Sequence, residues 1–229
     1  MRLFPICWGI AALAAVPALA ADPAHPTVIE LYQSQGCSSC PPANANLNAI
    51  ADRPDLLPLS FAVTYWDQLG WRDTFASKAF TARQWDYAKA GGRGSVATPQ
   101  MIVNGRGVLV GANRAQVYLA IREYDRGTAG PAIARSEGKV TIGSGSARRP
   151  ATVWLVYYDP RVQNVPIRAG ENGGRTLPHR NIVRSLRMLG SWNGTPAAFD
   201  IAAAADSAFR AAILVQDGKG GEIVAASRL

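Results

Sequence analysis

The feature that most constrains this chain is a short apolar run that leads directly into a C-x-x-C motif. Residues 28–32 (VIELY) are mostly β-branched, aromatic or aliphatic, which predicts a buried strand. A turn through Gly36 follows, then Cys37 and Cys40, and then two prolines and an Ala- and Asn-rich segment that predicts a helix. A thiol near a helix N-terminus lies close to free backbone N–H groups and to the positive end of the helix dipole, so its thiolate is favoured. The order strand, C-x-x-C, helix therefore predicts a redox dithiol.

The two cysteines are expected to differ in role. The Cys37 sulfur is predicted to face solvent at the helix start and to attack the substrate, with help from the Ser39 hydroxyl. Cys40 is predicted to lie about one turn inside the helix, where it is shielded, and to resolve the mixed disulfide by attacking Cys37.

Other interpretations of the motif stay open at this point. The chain has 3 cysteines and 2 histidines, and Cys7 lies in the N-terminal segment, so a four-ligand structural zinc site is not expected. A purely structural disulfide is possible, although a bridge that closes so short a loop adds little chain-entropy stabilisation. Binding of copper(I) through both thiolates is a third interpretation, because soft ligands favour that ion.

The N-terminus predicts a secretory signal peptide at residues 1–20. One charge, Arg2, precedes an apolar run over residues 3–15, and small residues lead to a cleavage site near Ala20. The run is too short for a membrane span, and no later segment has the apolar length that a span needs. We therefore expect a periplasmic or secreted protein, in a compartment where thiols can oxidise.

The charge balance says less about partners. The chain has 24 Lys+Arg against 16 Asp+Glu, a formal net charge of +8, and the excess lies in the second half. A basic surface suits an acidic partner or an anionic membrane surface, and an ordinary solvated face is the simpler interpretation. Because aromatic and basic residues are not interleaved, we expect no nucleic-acid binding. No cofactor is expected either.

Residues 21–127 predict the order β-α-β-α-β-β-α. The elements predicted after the motif are a helix over residues 43–52, a strand at 57–65, an aromatic-rich loop at 66–71, a helix capped by Thr74, a strand entered through Thr98-Pro99, a hairpin at 104–105 and a helix at 114–126. A C-x-x-C between strand and helix, with a Thr-Pro entering the third strand, resembles the thioredoxin-like superfamily. The fuller pattern YQSQGCSSCPP, YWDQLGW and TPQMIVNG with a β-rich tail resembles an uncharacterised family of secreted thioredoxin-like proteins with a C-terminal β domain.

This resemblance implies an α/β thioredoxin-like domain and a cis Thr98-Pro99 bond, with Pro99 shaping the substrate groove. Thioredoxins also keep a buried carboxylate on the first strand, where this chain has Leu31. Glu30, one residue earlier, is the candidate proton acceptor in its place, and a surface glutamate is the equal alternative. The family offers no substrate that can be carried over.

The loop after the second strand is predicted to lie beside the dithiol, because the carboxyl ends of parallel strands meet at one edge of a sheet. Trp66 and Asp67 are therefore candidate substrate-binding residues together with Thr98 and Pro99. The alternative is that the tryptophans simply cap the core.

Residues 128–229 predict a β-rich C-terminal domain after a linker at 127–131. The predicted strands are 139–142, 152–158, 162–167, 182–189, 211–216 and 222–226, separated by turn signals that are typical of a smaller antiparallel β-sandwich-like domain. A long Gly-rich loop at 168–180 carries Arg175, His179 and Arg180. These side chains are candidates for holding an anion or, for His179, a metal, and ordinary surface residues are the alternative.

Taken together, these patterns predict an exported thiol–disulfide oxidoreductase that acts on protein or small-molecule thiols and disulfides through Cys37 and Cys40. Its electron partner is not identified by the sequence. The alternatives are a periplasmic copper(I) or soft-metal-binding protein that uses both thiolates, and a non-catalytic partner-binding module.

Overall fold

The computed structural model describes residues 20–229, and the predicted signal peptide lies outside the described residues. The elements before residue 127 are β1 (Thr27–Gln33), α1 (Pro41–Ala49), β2 (Leu56–Ala62), a 3-10 turn (Asp67–Leu69), α2 (Lys78–Ala90), β3 (Gln100–Val103), β4 (Gly107–Leu109) and α3 (Arg114–Glu123). The elements after it are β5 (Ile133–Ser136), β6 (Lys139–Ile142), β7 (Ala151–Asp159), β8 (Gln163–Pro166), β9 (Thr176–His179), β10 (Ile182–Trp192), β11 (Ala197–Asp200), β12 (Arg210–Asp217) and β13 (Ile223–Arg228).

Local sequence explains where the helices of the first half begin. α1 starts at Pro41 because proline lacks the N–H that a first helical turn leaves unpaired anyway. α2 starts after Ser77, whose hydroxyl accepts from the Ala79 N–H at 3.2 Å. The prediction that Thr74 caps this helix is wrong, because the Thr74 hydroxyl accepts from the Gln35 side-chain amide at 3.0 Å instead.

The main sheet has eight strands in the order β13-β12-β7-β10-β2-β1-β3-β4. β1 pairs in parallel with β2 and antiparallel with β3, and every residue of β1 is buried. On the other side of β2 lies β10, which runs parallel to it with Ile182 opposite Ser60. Two smaller sheets, β11-β6-β5 and β8-β9, complete the structure of residues 20–229.

This arrangement overturns the expected fold class. A thioredoxin-like α/β domain followed by a β-sandwich-like domain is wrong: the chain is mostly β, with one eight-stranded mixed sheet, two small sheets and three α-helices among the described residues. The physical reason lies in β2, whose seven residues are all buried. A strand that is apolar on both faces makes a poor sheet edge, and β10 covers that edge. The strands of the second half therefore extend the first sheet.

The predicted division at residues 127–131 stays a prediction. Within residues 20–229 the α-helices all precede it, while the main sheet runs across it. One face of the sheet packs around a cluster drawn from both halves, which includes Tyr32, Phe61, Val156 and Leu214. No helix among the described residues combines the length and apolar character that crossing a membrane requires.

The other face of the sheet is divided between two clusters. Over β1, β2 and β3 it is covered by α1 and α3 through residues such as Leu47 and Val117. Over β7 and β12 it is covered by the small sheet through residues such as Val140, with Trp192 fully buried beside it. The loops that follow the carboxyl ends of β1 and β2 carry the candidate site.

Candidate functional site

The two cysteines of the motif form a disulfide. Cys37 and Cys40 are bonded, with their Cα atoms 5.4 Å apart, and Cys40 is the N-cap residue of α1. The helix therefore begins after the motif, and Cys40 does not lie a turn inside it as predicted. Cys37 lies in the preceding turn, where its carbonyl accepts from the Cys40 N–H at 3.1 Å.

The helix start offers the disulfide few free donors. Pro41 and Pro42 have no N–H, and the Cys40 N–H is already bonded to the Cys37 carbonyl. The expected activation of Cys37 by several free N–H groups is thus weaker than the bare motif indicates. The predicted contribution of Ser39 is confirmed in geometry, because its hydroxyl oxygen lies 3.4 Å from the Cys37 sulfur.

Cys37 is not exposed. Both cysteines are 0% exposed, so the prediction that the Cys37 sulfur faces solvent is wrong. A segment of the second half is hydrogen-bonded to the backbone of the motif on both sides of Cys37. The side-chain amide of Asn172 donates to the carbonyls of Gln35 and Cys37, at 2.9 Å each, and is itself fully buried. The carboxylate of Glu171 accepts from the Ser38 N–H at 3.0 Å.

The Thr98-Pro99 peptide bond is cis, as the sequence predicted, and it adjoins the motif. The Ser39 hydroxyl donates to the Thr98 carbonyl at 3.5 Å, and the Trp66 indole N–H donates to the Thr98 hydroxyl at 2.7 Å. A chain of polar contacts thus runs from the Trp66 ring through Thr98 and Ser39 to the Cys37 sulfur. The structure therefore brings together four residues that the sequence predicted at the site, with Pro99 buried beside them: Cys37, Ser39, Trp66 and Thr98.

Asp67 follows Trp66 in the loop after β2, but its side chain bonds within that loop and not with the motif. Its carboxylate accepts from the Asp73 N–H at 3.1 Å, which closes the loop between β2 and α2. The Trp71 indole donates to the side-chain carbonyl of Gln35 at 2.9 Å, so this loop is also fastened to the approach to Cys37. A substrate-binding role for Asp67 stays a prediction, and the observed contact is one that shapes the loop.

Asp73 is a buried carboxyl next to the motif. It accepts from the Gln35 N–H at 2.7 Å and from the Phe75 N–H at 2.8 Å. Burial raises the pKa of Asp73 to about 6, because the loss of hydration outweighs the two backbone hydrogen bonds that favour the charged form. Asp73 is therefore a group beside the disulfide that changes charge near pH 6.

Glu30, the candidate proton acceptor, has other partners. The Arg83 guanidinium donates to both of its oxygens, at 2.7 and 2.8 Å, and the hydroxyls of Tyr32 and Tyr87 donate at 2.8 and 2.7 Å. Burial by itself would raise the pKa of Glu30, but the charge and hydrogen bonds of Arg83 outweigh it and hold that pKa below its usual value. Proton acceptance by Glu30 stays a prediction, and the observed contacts give it a structural role. Arg83 also donates to Gln216 of β12 at 3.0 Å, which links the two halves.

The candidate side chains of the loop at residues 168–180 have partners within the protein, and anion binding by this loop stays a prediction. Its last residues form β9, and the Arg180 guanidinium donates to Asp52 at 2.6 and 2.8 Å. His179 is 1% exposed and lies 3.5 Å from the Asn44 amide through Nδ1, and burial lowers its pKa to about 4. Among residues 20–229, no group of three or more His, Cys, Asp or Glu side chains is placed to hold a metal ion.

Sequence reasoning missed the contributions of Asn172, Glu171, Gln35 and Asp73. One signal was available: a polar residue among glycines 170, 173 and 174 marked a loop of unusual length. That signal identifies a loop but not its destination, since Asn172 lies 135 residues from Cys37 in the chain.

The chain is similar to known proteins at the level of family and fold. The model of a family described as "Protein of unknown function (DUF1223)" matches residues 28–216. A crystal structure of a protein from Agrobacterium tumefaciens is 32% identical, with a TM-score of 0.75, and the match covers 93% of this chain and 96% of that one. HBP35 of Porphyromonas gingivalis is 13% identical, with a TM-score of 0.59 over 90% of this chain and 74% of that one, a likeness that concerns the fold alone. No curated protein matches this chain.

Proposed function

This chain belongs to the DUF1223 family, and we propose that it is a thiol–disulfide oxidoreductase that exchanges its Cys37–Cys40 disulfide with the thiols of a substrate. The observation that carries this proposal is the closed disulfide at the N-cap of α1, with Ser39 and the cis Thr98-Pro99 segment beside it. The resemblance to thioredoxin-like proteins enters only at the level of this site. It concerns a dithiol that faces a Thr-Pro segment.

The proposed exchange begins when a substrate thiolate attacks the Cys37 sulfur. The Cys37–Cys40 bond breaks, and Cys40 leaves as a thiolate that takes up a proton. A second thiolate of the same substrate then attacks the substrate sulfur that is bonded to Cys37. The mixed disulfide breaks, and Cys37 is released as a thiolate. The substrate leaves as a disulfide and the protein is left as a dithiol, so two electrons have passed from one to the other. The reverse sequence reduces a substrate disulfide by the same steps, with Cys40 resolving.

Two observations support Cys37 as the sulfur that forms the mixed disulfide. The Ser39 hydroxyl donates to the Thr98 carbonyl in the oxidised protein and lies 3.4 Å from the Cys37 sulfur, so its proton can turn to a Cys37 thiolate on reduction, and such donors lower the pKa of a thiol. Cys40, the N-cap residue directly before Pro41, has no such contact among the side-chain hydrogen bonds of the described residues. An exported location, proposed from the N-terminal sequence, supplies the oxidising conditions in which such a couple turns over.

Trapping and a redox titration test the proposal. With a model disulfide, the Cys37 thiolate of the Cys40→Ser variant is expected to attack, release one substrate thiol and accumulate as a mixed disulfide, whereas Cys37→Ser is expected to accumulate none. Intact mass under non-reducing conditions reads out both, with the double serine variant as control. The wild-type couple should equilibrate with glutathione or dithiothreitol buffers at a potential above about −300 mV. A disulfide that stays oxidised in these buffers is a structural bridge and contradicts the proposal.

The same samples decide between the alternatives. A reduced protein that takes up one copper(I) ion, and does not exchange disulfides, supports the soft-metal interpretation. A double serine variant that keeps the full biological activity of the wild type supports a partner-binding module, in which the cysteines are dispensable.

A further inference from the structure

We propose that residues 168–175 form a lid over Cys37, held shut by Asn172, which must open before a substrate thiol can reach the disulfide. This inference rests on the proposed exchange reaction, because it concerns access to the same sulfur atoms. The lid comes from the second half of the chain and closes on a motif in the first half. It therefore gives the second half a role in controlling the reaction.

The first argument is the way in which Asn172 is bonded. Its side-chain amide places both hydrogens on carbonyls of the motif, Gln35 and Cys37, at 2.9 Å each. Asn172 is 0% exposed although its neighbours in the lid are exposed. The buried amide of Asn172 therefore holds the lid against this turn, because separating the two would leave its N–H groups and the two carbonyls without hydrogen-bond partners, which raises the free energy.

The second argument is a further contact at the outer edge of the lid. Glu171 accepts from the N–H of Ser38, the residue that directly follows Cys37, at 3.0 Å. Gly170 rests on the loop after β2, where a Cβ at this position would lie 3.3 Å from the Leu69 carbonyl. The lid thus contacts the turn on two sides of Cys37, a residue that is 0% exposed.

The third argument is that the lid is closed by its own hydrogen bonds and that its two ends lie side by side. Its interior is closed by hydrogen bonds from Gly173 N–H to the Gly170 carbonyl and from the Arg175 guanidinium to the Asn172 side chain, at 3.0 and 2.7 Å. Its two ends meet where the Ile167 N–H donates to the Arg175 carbonyl at 2.9 Å. A loop with joined ends and internal bonds can swing away as one body without unravelling β8 or β9.

The consequence follows from the geometry of disulfide exchange. An incoming thiolate must reach a sulfur, and the rate of exchange depends on that access. With Cys37 and Cys40 both at 0% exposure, the closed form offers no path to either one. As long as attack is slower than reclosing of the lid, the observed rate is the rate of attack in the open form multiplied by the fraction of molecules whose lid is open. When a high thiol concentration makes attack faster than reclosing, the observed rate becomes the rate of lid opening.

Reduction of the oxidised protein by excess dithiothreitol tests the lid, with the free thiols counted by quenched alkylation and mass. Asn172→Ala is expected to speed reduction by about thirtyfold, the factor that corresponds to two lost hydrogen bonds of ordinary net strength. Glu171→Ala, which removes one bond of an exposed side chain, is expected to speed it by about threefold. Asn164→Ala, an exposed asparagine of β8, is the matched control and should leave the rate unchanged.

A second readout separates gating from general loosening of the fold. With rising dithiothreitol the wild-type rate should level off at the rate of lid opening, and the Asn172→Ala rate should continue to rise. Hydrogen exchange should show faster exchange of residues 168–175 in Asn172→Ala with the core strands unchanged. Should Asn172→Ala fail to fold, Glu171→Ala decides in the same assay.

Equal rates in wild type, Asn172→Ala and Glu171→Ala, with a disulfide that dithiothreitol does reduce, overturn the lid and leave the exchange reaction standing. A disulfide that dithiothreitol reduces in none of these proteins overturns the exchange reaction itself. The two failures are therefore distinguishable within one experiment.

Discussion

The buried carboxyl of Asp73 gives the sharpest prediction, because its charge is coupled to the stability of the turn that carries the disulfide. Its oxygens accept from the backbone of Gln35 and Phe75, at 2.7 and 2.8 Å. We consider Asp73→Asn, which keeps the shape of the side chain but cannot ionise. The quantity of interest is the difference in free energy of unfolding between wild type and variant as a function of pH.

The sign and size follow from the pKa. Burial raises the folded-state pKa of Asp73 from 3.8 to about 6. A carboxyl whose pKa is raised on folding contributes its stability below pH 3.8, and that contribution is lost as the pH rises through about 6. Since each pKa unit is worth about 1.4 kcal/mol, the wild type should lose roughly 3 kcal/mol relative to Asp73→Asn over this window. Any cost of placing an amide next to the Gln35 N–H is independent of pH and shifts the whole curve.

The assay is urea unfolding followed by tryptophan fluorescence, at half-unit steps from pH 4 to pH 8. Asp52→Asn is the flat control: hydrogen bonding to Arg180 lowers the pKa of Asp52 below 3.8, so its stabilising contribution is almost complete at pH 4 and its difference curve should hardly change over the assay range. Parallel curves for wild type and Asp73→Asn would refute the reasoning, because they would mean that Asp73 titrates alike in the folded and unfolded chain. A wild type that gains stability relative to the variant above pH 6 would refute it more directly.

Two further predictions concern the contacts that join the halves of the chain. Arg83→Leu should lower the free energy of unfolding by about 3–5 kcal/mol, since it leaves the Glu30 carboxylate buried without its cation. In urea unfolding, the Glu30→Leu/Arg83→Leu double variant should recover much of the lost stability. A loss below about 1 kcal/mol in Arg83→Leu would contradict the pairing. Gly220→Ala should be far more destabilising than Gly92→Ala in the same measurement. Both glycines have φ near +68°, but a Cβ at Gly220 would overlap the Asp86 carbonyl of α2, whereas a Cβ at Gly92 would meet nothing within 4 Å. Equal losses in the free energy of unfolding would mean that the turn at Gly220 does not pack against α2.

Local pattern was enough for most of the elements, although β5, β9 and β11 were not predicted, but it did not indicate how the elements join. The strands at 139–142 and 152–158 were predicted within a residue of β6 and β7, because alternation and turn residues are local signals. The pairing of β10 with β2 is not local, and nothing in the turns around residue 182 indicates which edge that strand will cover. The largely apolar sequence of β2 gave one indication: a strand buried on both faces needs a neighbouring strand on each side, and the first half of the chain supplies only β1.

The candidate site divides in the same way. The position of Trp66 at the edge of the sheet that carries the motif was predictable, because β1 and β2 are parallel and the loops that follow them lie at one edge. Thr98 reaches the same edge from the other direction, since it precedes β3, which runs antiparallel to β1. The hydrogen bond of Asn172 to the Cys37 carbonyl was not predictable, because an asparagine among glycines is an ordinary loop residue by every local rule. The choice of Glu30 as proton acceptor failed to anticipate Arg83, which reaches it from a helix 53 residues away.

The parallel pairing of β10 with β2 has a consequence for how the chain is made. Asn181, at the start of β10, donates its side-chain amide to the Pro58 carbonyl at 2.9 Å across a separation of 123 residues. Contacts between such distant segments raise the contact order. The chain between them must lose the entropy of loop closure before the contacts can stabilise the fold. A nascent chain that has emerged only as far as α3 therefore holds β2 as an apolar edge with open hydrogen-bonding groups, which is the kind of surface on which aggregation starts. That edge is sealed only when the last quarter of the chain has arrived.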